Sequence, residues 1–534
     1  MRNISFSKLL CLIILSFFIN TQSKAQSFET QAIKFGRLLN IIESTYVDST
    51  NLEKLTETAI SEMMAKLDPH SVYIPRDEVK KMNEPLQGGF EGIGISFNIF
   101  QDTLLVVTTI PGGPSEKVGL IPGDRILFVD GKPTCGVKLQ NSDVFKMLRG
   151  TKGTRVDLKV KRKNTKELLD FTIIRDVIPI YSVDASYLLN KETGYIKVNR
   201  FAETTTEEFD KALKELKKQN ITNLVLDLRG NGGGLLNAAT DMVDNFISDK
   251  KMIVYTQGIK SPRKDYRASS SGEFEQGKLI VLIDEGSASA SEIVTGAIQD
   301  WDRGIVIGRR SFGKGLVQQP FLLNDGSMIR LTTAHYYTPS GRCIQKPYKN
   351  GINEYQEDLK KRYEDGELFH KDSVRFVDTL RYQTLINKRV VYGGGGIMPD
   401  IFVPLDTSSH YQYFNALIRK NVVFPYVINY IDKNRETLKQ AYPDFPGFLK
   451  KFEISDAMIE EVASLGEKEG IKKDTESIKA ISDDMKLQIK ALVARDLFDQ
   501  DKFYEVMNTK DKSIDKALEL LKDKRAYEKI LTKP

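Results

Sequence analysis

The sequence predicts an α/β protein with a small, mostly-β module inserted ahead of its core and helical regions at both ends. Three observations carry that prediction. Over residues 178–405 apolar strand-like runs alternate with loops and helical patterns, the rhythm of a sheet with crossover connections. Over residues 86–177 the apolar runs are short, and glycine- and proline-bearing turns separate them. At both ends the apolar residues recur at helical spacing.

The chain has 534 residues, too many for one hydrophobic core. Hydrophobic residues make up 40% and charged residues 28%, the balance of folded domains rather than of disorder. The net charge of +6 includes Arg2, Lys8 and Lys24 of the leader described next. Such a balance lacks the basic footprint that nucleic acid requires.

Residues 1–25 read as a secretory signal peptide. Basic residues come first, then an apolar run over residues 9–19, then "SKA" before Gln26 as a cleavage site. The run is short for a membrane span. Cys11 lies inside it, which argues against a lipid-attachment cysteine. The expected location is the periplasm or cell envelope, with membrane association if the segment is retained. After cleavage Cys135 and Cys343 remain, too few for a disulfide scaffold.

Residues 26–85 form the first helical region. Ile33, Leu38, Leu39, Ile41 and Ile42 mark one helix, and Leu55, Ala59, Ile60, Met63 and Met64 a second. Pro69 in "LDPHSVYIP" ends it. In the β module, "GIGISFNIF", "TLLVVTTI", "RILFVDG", "RVDLKVKR" and "LLDFTIIR" read as strands and "NSDVFKMLRG" as a short helix. In the core, "NLVLDLR" leads into "GNGGG" and a helix, "KLIVLID" leads into a second helix, and "GIVIG" is a third strand. Residues 406–534 are rich in Lys, Glu and Asp with helical spacing, and predict a solvated helical appendage.

The chemistry centres on "LIDEGSASASEIV", residues 282–294. The apolar stripe of Ile293, Val294, Ala297, Ile298 and Trp301 requires a helix that begins between Ser287 and Ser291. Ser289-x-x-Glu292 fits a capping box. A serine at such a strand-to-helix turn also faces a crevice, beside free N–H groups that can hold an oxyanion. A serine nucleophile needs a base. Of the histidines His70, His335, His370 and His410, only His335 falls among the core strands. Lys314 in "IGRRSFGKGLVQQP" is the other candidate, provided its pKa falls toward neutrality. Gly315 stands where a phosphate loop needs Ser or Thr, which argues against nucleotide binding. Gln318 shares a face with Lys314 if the segment is extended. The glycines of "DLRGNGGGLL" allow N–H groups to turn toward an anion.

"DLRGNGGGLL", "DEGSASASEIVTGAIQD" and "GRRSFGKGLVQ", in that order, resemble the C-terminal processing peptidases, or tail-specific proteases. "GGFEGIGISF" and "GPSEKVGLIPGDRILFVDG" resemble that family's PDZ domain, and "LDPHSVYIP" and "GGGGIMPDI" resemble further signatures. The resemblance covers roughly residues 30–405. It implies a ClpP/crotonase-like core with Ser289 as nucleophile, Lys314 as general base and Gln318 assisting the lysine. It implies an oxyanion hole from the N–H of Ala290 and of Gly233 or Gly234. Many members carry proline where Gly232 stands. It implies that protein substrates bind by their C-terminal tails, the carboxylate at Gly92, Ile93, Gly94 and Ile95, by strand addition. No cofactor or metal is implied, and no His/Cys/carboxylate spacing suggests zinc. A homodimer and a regulatory partner stay open. So do two alternatives to the protease: an inactive PDZ-based scaffold and a crotonase-like acyl enzyme.

Overall fold

The computed structural model describes residues 28–100, 102–163, 165–270, 272–374, 380–405 and 411–532. The leader and His410 lie outside them. The chain divides into two compact units.

The smaller unit joins the described part of Met1–Arg76 to Pro320–Leu331. Helices over residues 28–45 and Leu52–Leu67 supply its helical content. Asn51 caps the second helix by accepting the Lys54 N–H. That helix ends at Leu67, ahead of Pro69. Val72–Ile74 then pairs antiparallel with Met328, Ile329 and Arg330. The helical region expected over 26–85 thus divides at residue 76, and helix Arg76–Gln87 falls almost wholly in the larger unit.

The larger unit is Asp77–Gln319 with the described part of Thr332–Pro534. Its β module is closed off by Gly89–Gly92 pairing antiparallel with Asp176–Pro179. Inside, strands Ile95–Phe100, Thr103–Thr109, Arg125–Val129, Arg155–Lys161 and Leu169–Ile174 follow one another across a sheet. Helix Asn141–Leu148 packs Val144 and Leu148 onto it, against Leu104, Val106, Ile126, Val156 and Leu158.

The core sheet runs Val183–Asn190, Thr193–Val198, Asn223–Asp227, Lys278–Ile283, Ile305–Gly308, Ile401–Phe402. The first pair is antiparallel and the rest are parallel. Side chains alternate between two apolar layers, as a pleat demands. Leu224, Leu226, Leu279, Val281 and Val306 meet helices Thr205–Lys218, Leu236–Asp244 and Ala290–Asp300 on one face. Val225, Ile280, Leu282, Ile305 and Ile307 point the other way. Burial on both faces explains why these strands read as continuous apolar runs.

The second face corrects the expectation of a solvated C-terminal appendage. Ile514, Ala517, Leu520 and Leu521 of helix Lys512–Lys522, with Tyr527 of helix Lys524–Thr532, cover it. The Tyr527 hydroxyl bonds the Leu279 backbone at 3.0 Å. Residues 411–507 pack around their own core, which includes Leu417, Tyr426, Phe448, Val462 and Met485. The charged residues that suggested a solvated region occupy the outer faces of helices whose inner faces are buried.

Candidate active site

The C-terminal ends of strands Asn223–Asp227 and Lys278–Ile283 open into adjacent loops, and parallel pairing sets those loops side by side. The first loop carries the glycines and the second carries the serines. Polar side chains lock them together. Ser287 Oγ donates to the Leu228 carbonyl at 2.8 Å, and Ser291 Oγ to the Asn231 carbonyl at 2.9 Å. Asp284 Oδ1 accepts the Gly230 N–H at 2.8 Å. Ser287 and Ser291, which bracket the expected helix start, therefore fasten the glycine loop to the serine turn.

Ser289 lies between them, half-buried, immediately before helix Ala290–Asp300. Its backbone has φ 53° and ψ −110°, a region costing a non-glycine residue about 1–3 kcal/mol. Its surroundings hold it there. Glu292 Oε2 accepts the Ser289 N–H at 2.8 Å, the glutamate half of the predicted capping box. The Tyr336 hydroxyl donates to the Ser289 carbonyl at 3.1 Å.

Glu292 is the residue whose role the sequence pattern understated. It is fully buried. Its carboxylate also accepts the Lys314 N–H at 2.9 Å, the Gly313 N–H at 2.7 Å and the Ser311 hydroxyl at 2.5 Å. One oxygen, Oε2, thus holds the backbones of both Ser289 and Lys314. Burial pushes the Glu292 carboxyl above its usual range, and the hydrogen bonds offset this only in part. A capping-box glutamate is its only trace in the sequence.

The lysine segment is pinned elsewhere as well. The Phe312 N–H donates to the Ser287 carbonyl at 2.9 Å, and Ser311 Oγ accepts the Ile397 N–H at 2.6 Å. Lys314 Nζ donates to Gln318 Oε1 at 3.0 Å. Gln318 lies on strand Leu316–Leu322. The structure therefore brings Ser289, Lys314 and Gln318 onto one connected framework.

His335 is placed differently. It stands opposite Gln257 in an antiparallel pair, its Nδ1 3.9 Å from Cys343 Sγ. Cys343 and Cys135 are both free thiols. His70 and His370 lie on other segments, where the His70 N–H is held by Asp68 Oδ1 at 2.8 Å and the His370 N–H by the Gly366 carbonyl at 2.9 Å.

The two glycines left open by the sequence occupy different surroundings. A Cβ on Gly233 would stand 2.8 Å from Ser289 Cβ and 2.7 Å from the Ala288 carbonyl. Gly234 instead abuts the backbone of Phe201, where a Cβ would fall 1.9 Å from the carbonyl oxygen. Gly233 is therefore the glycine beside Ser289, and its N–H donates to Asn231 Oδ1 at 2.9 Å. Ala290 is buried at the start of its helix, where first-turn N–H groups lack intrahelical acceptors.

In the β module, Gly94 has φ 75° and Ile93 is buried. The Ile93 carbonyl accepts the Ser115 N–H at 3.1 Å and its hydroxyl at 2.6 Å. Ile95 begins the strand that pairs with Thr103–Thr109. Gly92, Ile93, Gly94 and Ile95 so form a bend that leads into an ordered strand. Among the described residues, no His, Cys, Asp and Glu grouping could hold a metal ion. No described helix is long and apolar enough to cross a membrane.

A model of peptidase family S41 matches residues 192–354, and a PDZ domain model matches 105–162. The N-terminal domain of the activating protease CtpB matches 17–78, and a family of unknown function matches 413–499. A carboxy-terminal-processing protease of Bartonella bacilliformis is 37% identical over 339 residues, 62% of this chain and 77% of that protein. The carboxy-terminal processing protease CtpB of Bacillus subtilis is 37% identical over 316 residues, 59% of this chain and 65% of its own length. Among solved structures, a photosystem II D1 C-terminal processing protease is 29% identical, with TM-score 0.34, covering 59% of this chain and 90% of that one.

Proposed function

The chain belongs to peptidase family S41, among the carboxy-terminal processing proteases, and from that premise we propose that it is an exported serine endopeptidase cutting proteins near or from their C-termini with a Ser289–Lys314 dyad. The membership makes it a serine-type peptidase with an S41 core and a PDZ domain, which displaces the inactive-scaffold and acyl-enzyme alternatives. The observation that carries the dyad is the Glu292 carboxylate, whose single oxygen holds the Ser289 and Lys314 amides at 2.8 and 2.9 Å.

In the proposed reaction neutral Lys314 takes the proton from Ser289 Oγ as the oxygen attacks the scissile carbonyl carbon. The C=O π pair moves onto oxygen, and the N–H groups of Ala290 and Gly233 hold the resulting anion. The C–N bond then breaks, and the Lys314 ammonium returns its proton to the leaving amine. Water, deprotonated by Lys314, attacks the acyl carbon; the ester C–O bond to Ser289 breaks, and the Lys314 ammonium returns the proton to Ser289 Oγ. Gln318 orients the lysine. Gly233 N–H exchanges Asn231 Oδ1 for the oxyanion, a stronger acceptor. The PDZ bend at Gly92, Ile93, Gly94 and Ile95 receives the substrate's terminal carboxylate, and the tail extends the sheet. Residues 1–25 direct export.

Ser289→Ala and Lys314→Ala are each expected to abolish cleavage of a peptide with a free C-terminus while leaving its binding intact. Cleavage retained by both variants would overturn the dyad.

A further inference from the structure

Next to the glycine loop lies a group of charges, buried at Asp227 and Lys197 and partly exposed at Arg229 and Asp511, that reaches into the C-terminal region. Asp227, at the end of its strand, is 1% exposed. Its carboxylate receives Arg229 Nε at 3.0 Å and Nη2 at 2.6 Å, Lys197 Nζ at 3.3 Å and the Tyr195 hydroxyl at 2.8 Å. Burial alone would raise this carboxyl; Arg229 and Lys197 outweigh it and hold it well below the usual carboxylate range. Two cations thus face one anion. The fourth charge is Asp511, whose Oδ2 receives Arg229 Nη1 at 2.7 Å.

Asp511 belongs to the C-terminal region, far along the chain from the S41 match. Its two oxygens do separable work. Oδ1 caps helix Lys512–Lys522 by accepting the Ser513 N–H at 2.8 Å and the Ile514 N–H at 3.1 Å. Oδ2 supplies the missing counter-charge to Arg229. Arg229 immediately precedes Gly230, the first residue of the loop that carries Gly233, and its own carbonyl is held by Lys197 Nζ.

We propose that Asp511 is a positioning residue for the oxyanion loop. By completing the charge balance around Arg229 it fixes the backbone from which residues 230–234 depart. The C-terminal region is then part of what places the Gly233 N–H, not only a cover for the sheet. This inference rests on the Ser289–Lys314 reading.

Asp511→Asn separates the two roles, because asparagine caps a helix as well as aspartate but carries no charge. The readout is steady-state kinetics on an internally quenched peptide with a free apolar C-terminus that the wild-type chain cleaves. Thermal melting of the same samples is measured alongside. An oxyanion donor out of place acts on the transition state rather than on ground-state binding. The expected result is kcat lowered about tenfold with KM within about twofold and a melting temperature near that of the wild type. Asp511→Glu, which restores the charge, is expected to recover part of kcat. Unchanged kcat in Asp511→Asn, or a loss confined to KM, overturns the inference. Ser289→Ala in the same assay keeps the two proposals apart: if it still cleaves, the dyad fails, and if it is inactive while Asp511→Asn matches wild type, only the role of Asp511 fails.

Discussion

Ser289 is held at a positive φ from both sides, its N–H by Glu292 and its carbonyl by Tyr336. Only a residue with a Cβ feels that strain. Ser289→Gly and Ser289→Ala both lack the hydroxyl, so their difference isolates the backbone. The glycine variant is expected to be the more stable by about 1 kcal/mol, read by chemical denaturation; equal stability would remove the strain argument. Glu292 supports a prediction of a different kind. Its folded-state pKa is raised, so the stability it contributes is complete below the unfolded carboxyl pKa of about 4.3 and is lost as pH rises through the folded value. Glu292→Gln cannot titrate. Its melting temperature relative to wild type should therefore climb as pH increases from about 4 toward neutrality, whatever constant penalty its altered hydrogen bonds impose. A flat or falling difference would contradict the buried carboxylate's cost. The small residues around Ser289 and Lys314 marked both as candidates in the sequence, and their roles were read from the family resemblance rather than from spacing. Glu292 could be read there only as a cap, because its contacts to Ser311, Gly313 and Lys314 join segments remote in sequence.

At the scale of elements, the strands and crossover helices of the core were legible because continuous apolar runs bounded by turns and 3.6-residue periodicity are local signals. The second layer was not. Helix Lys512–Lys522 shows apolar residues at Ile514, Ala517 and Leu521, a stripe that a sequence displays without naming its partner, here the far face of the sheet. The choice between Gly233 and Gly234 was likewise beyond local reading, since both glycines have positive φ and only their neighbours separate them. Gly233 has φ 99° and faces Ser289 and the Ala288 carbonyl. Gly233→Ala must therefore either push the serine turn aside or rotate its own amide. It is expected to lower kcat on the order of 100-fold with the circular dichroism of the fold retained. Activity near wild type would move the second oxyanion donor away from Gly233.

The whole larger unit is tied together by its C-terminal region, which touches the PDZ module as well as the core. Strand Thr103–Thr109 turns Leu104 and Val106 into the module's own interior, while Leu105 and Val107 meet Ile428 and Phe424 of helix Val423–Ala441. Arg125 pairs with Asp432 at 3.3 Å, and Lys163 Nζ donates to the Asp432 carbonyl at 2.6 Å. The strand "TLLVVTT" is apolar on both faces for this reason. Two forces therefore hold the module, and their magnitudes rank them. The Arg125–Asp432 pair is partly exposed, with the Arg125 side chain at 32%, and such pairs are worth about 0.2–1 kcal/mol. Burying an Ile428 side chain is worth about 1.5–3 kcal/mol, and a carboxylate in its place would be stranded against Leu105 and Val107. Ile428→Asp should accordingly loosen the module more than Asp432→Arg, which removes the ion pair and adds a like charge beside Arg125. Amide hydrogen exchange over Thr103–Thr109 reads this directly: it should be fastest in Ile428→Asp, intermediate in Asp432→Arg and slowest in wild type. Added salt should narrow only the gap between Asp432→Arg and wild type, because screening weakens charges and leaves apolar contact in place. Exchange unaltered by Ile428→Asp would mean that the module is held by its own closing strands, Gly89–Gly92 and Asp176–Pro179, rather than by the helix beyond the core.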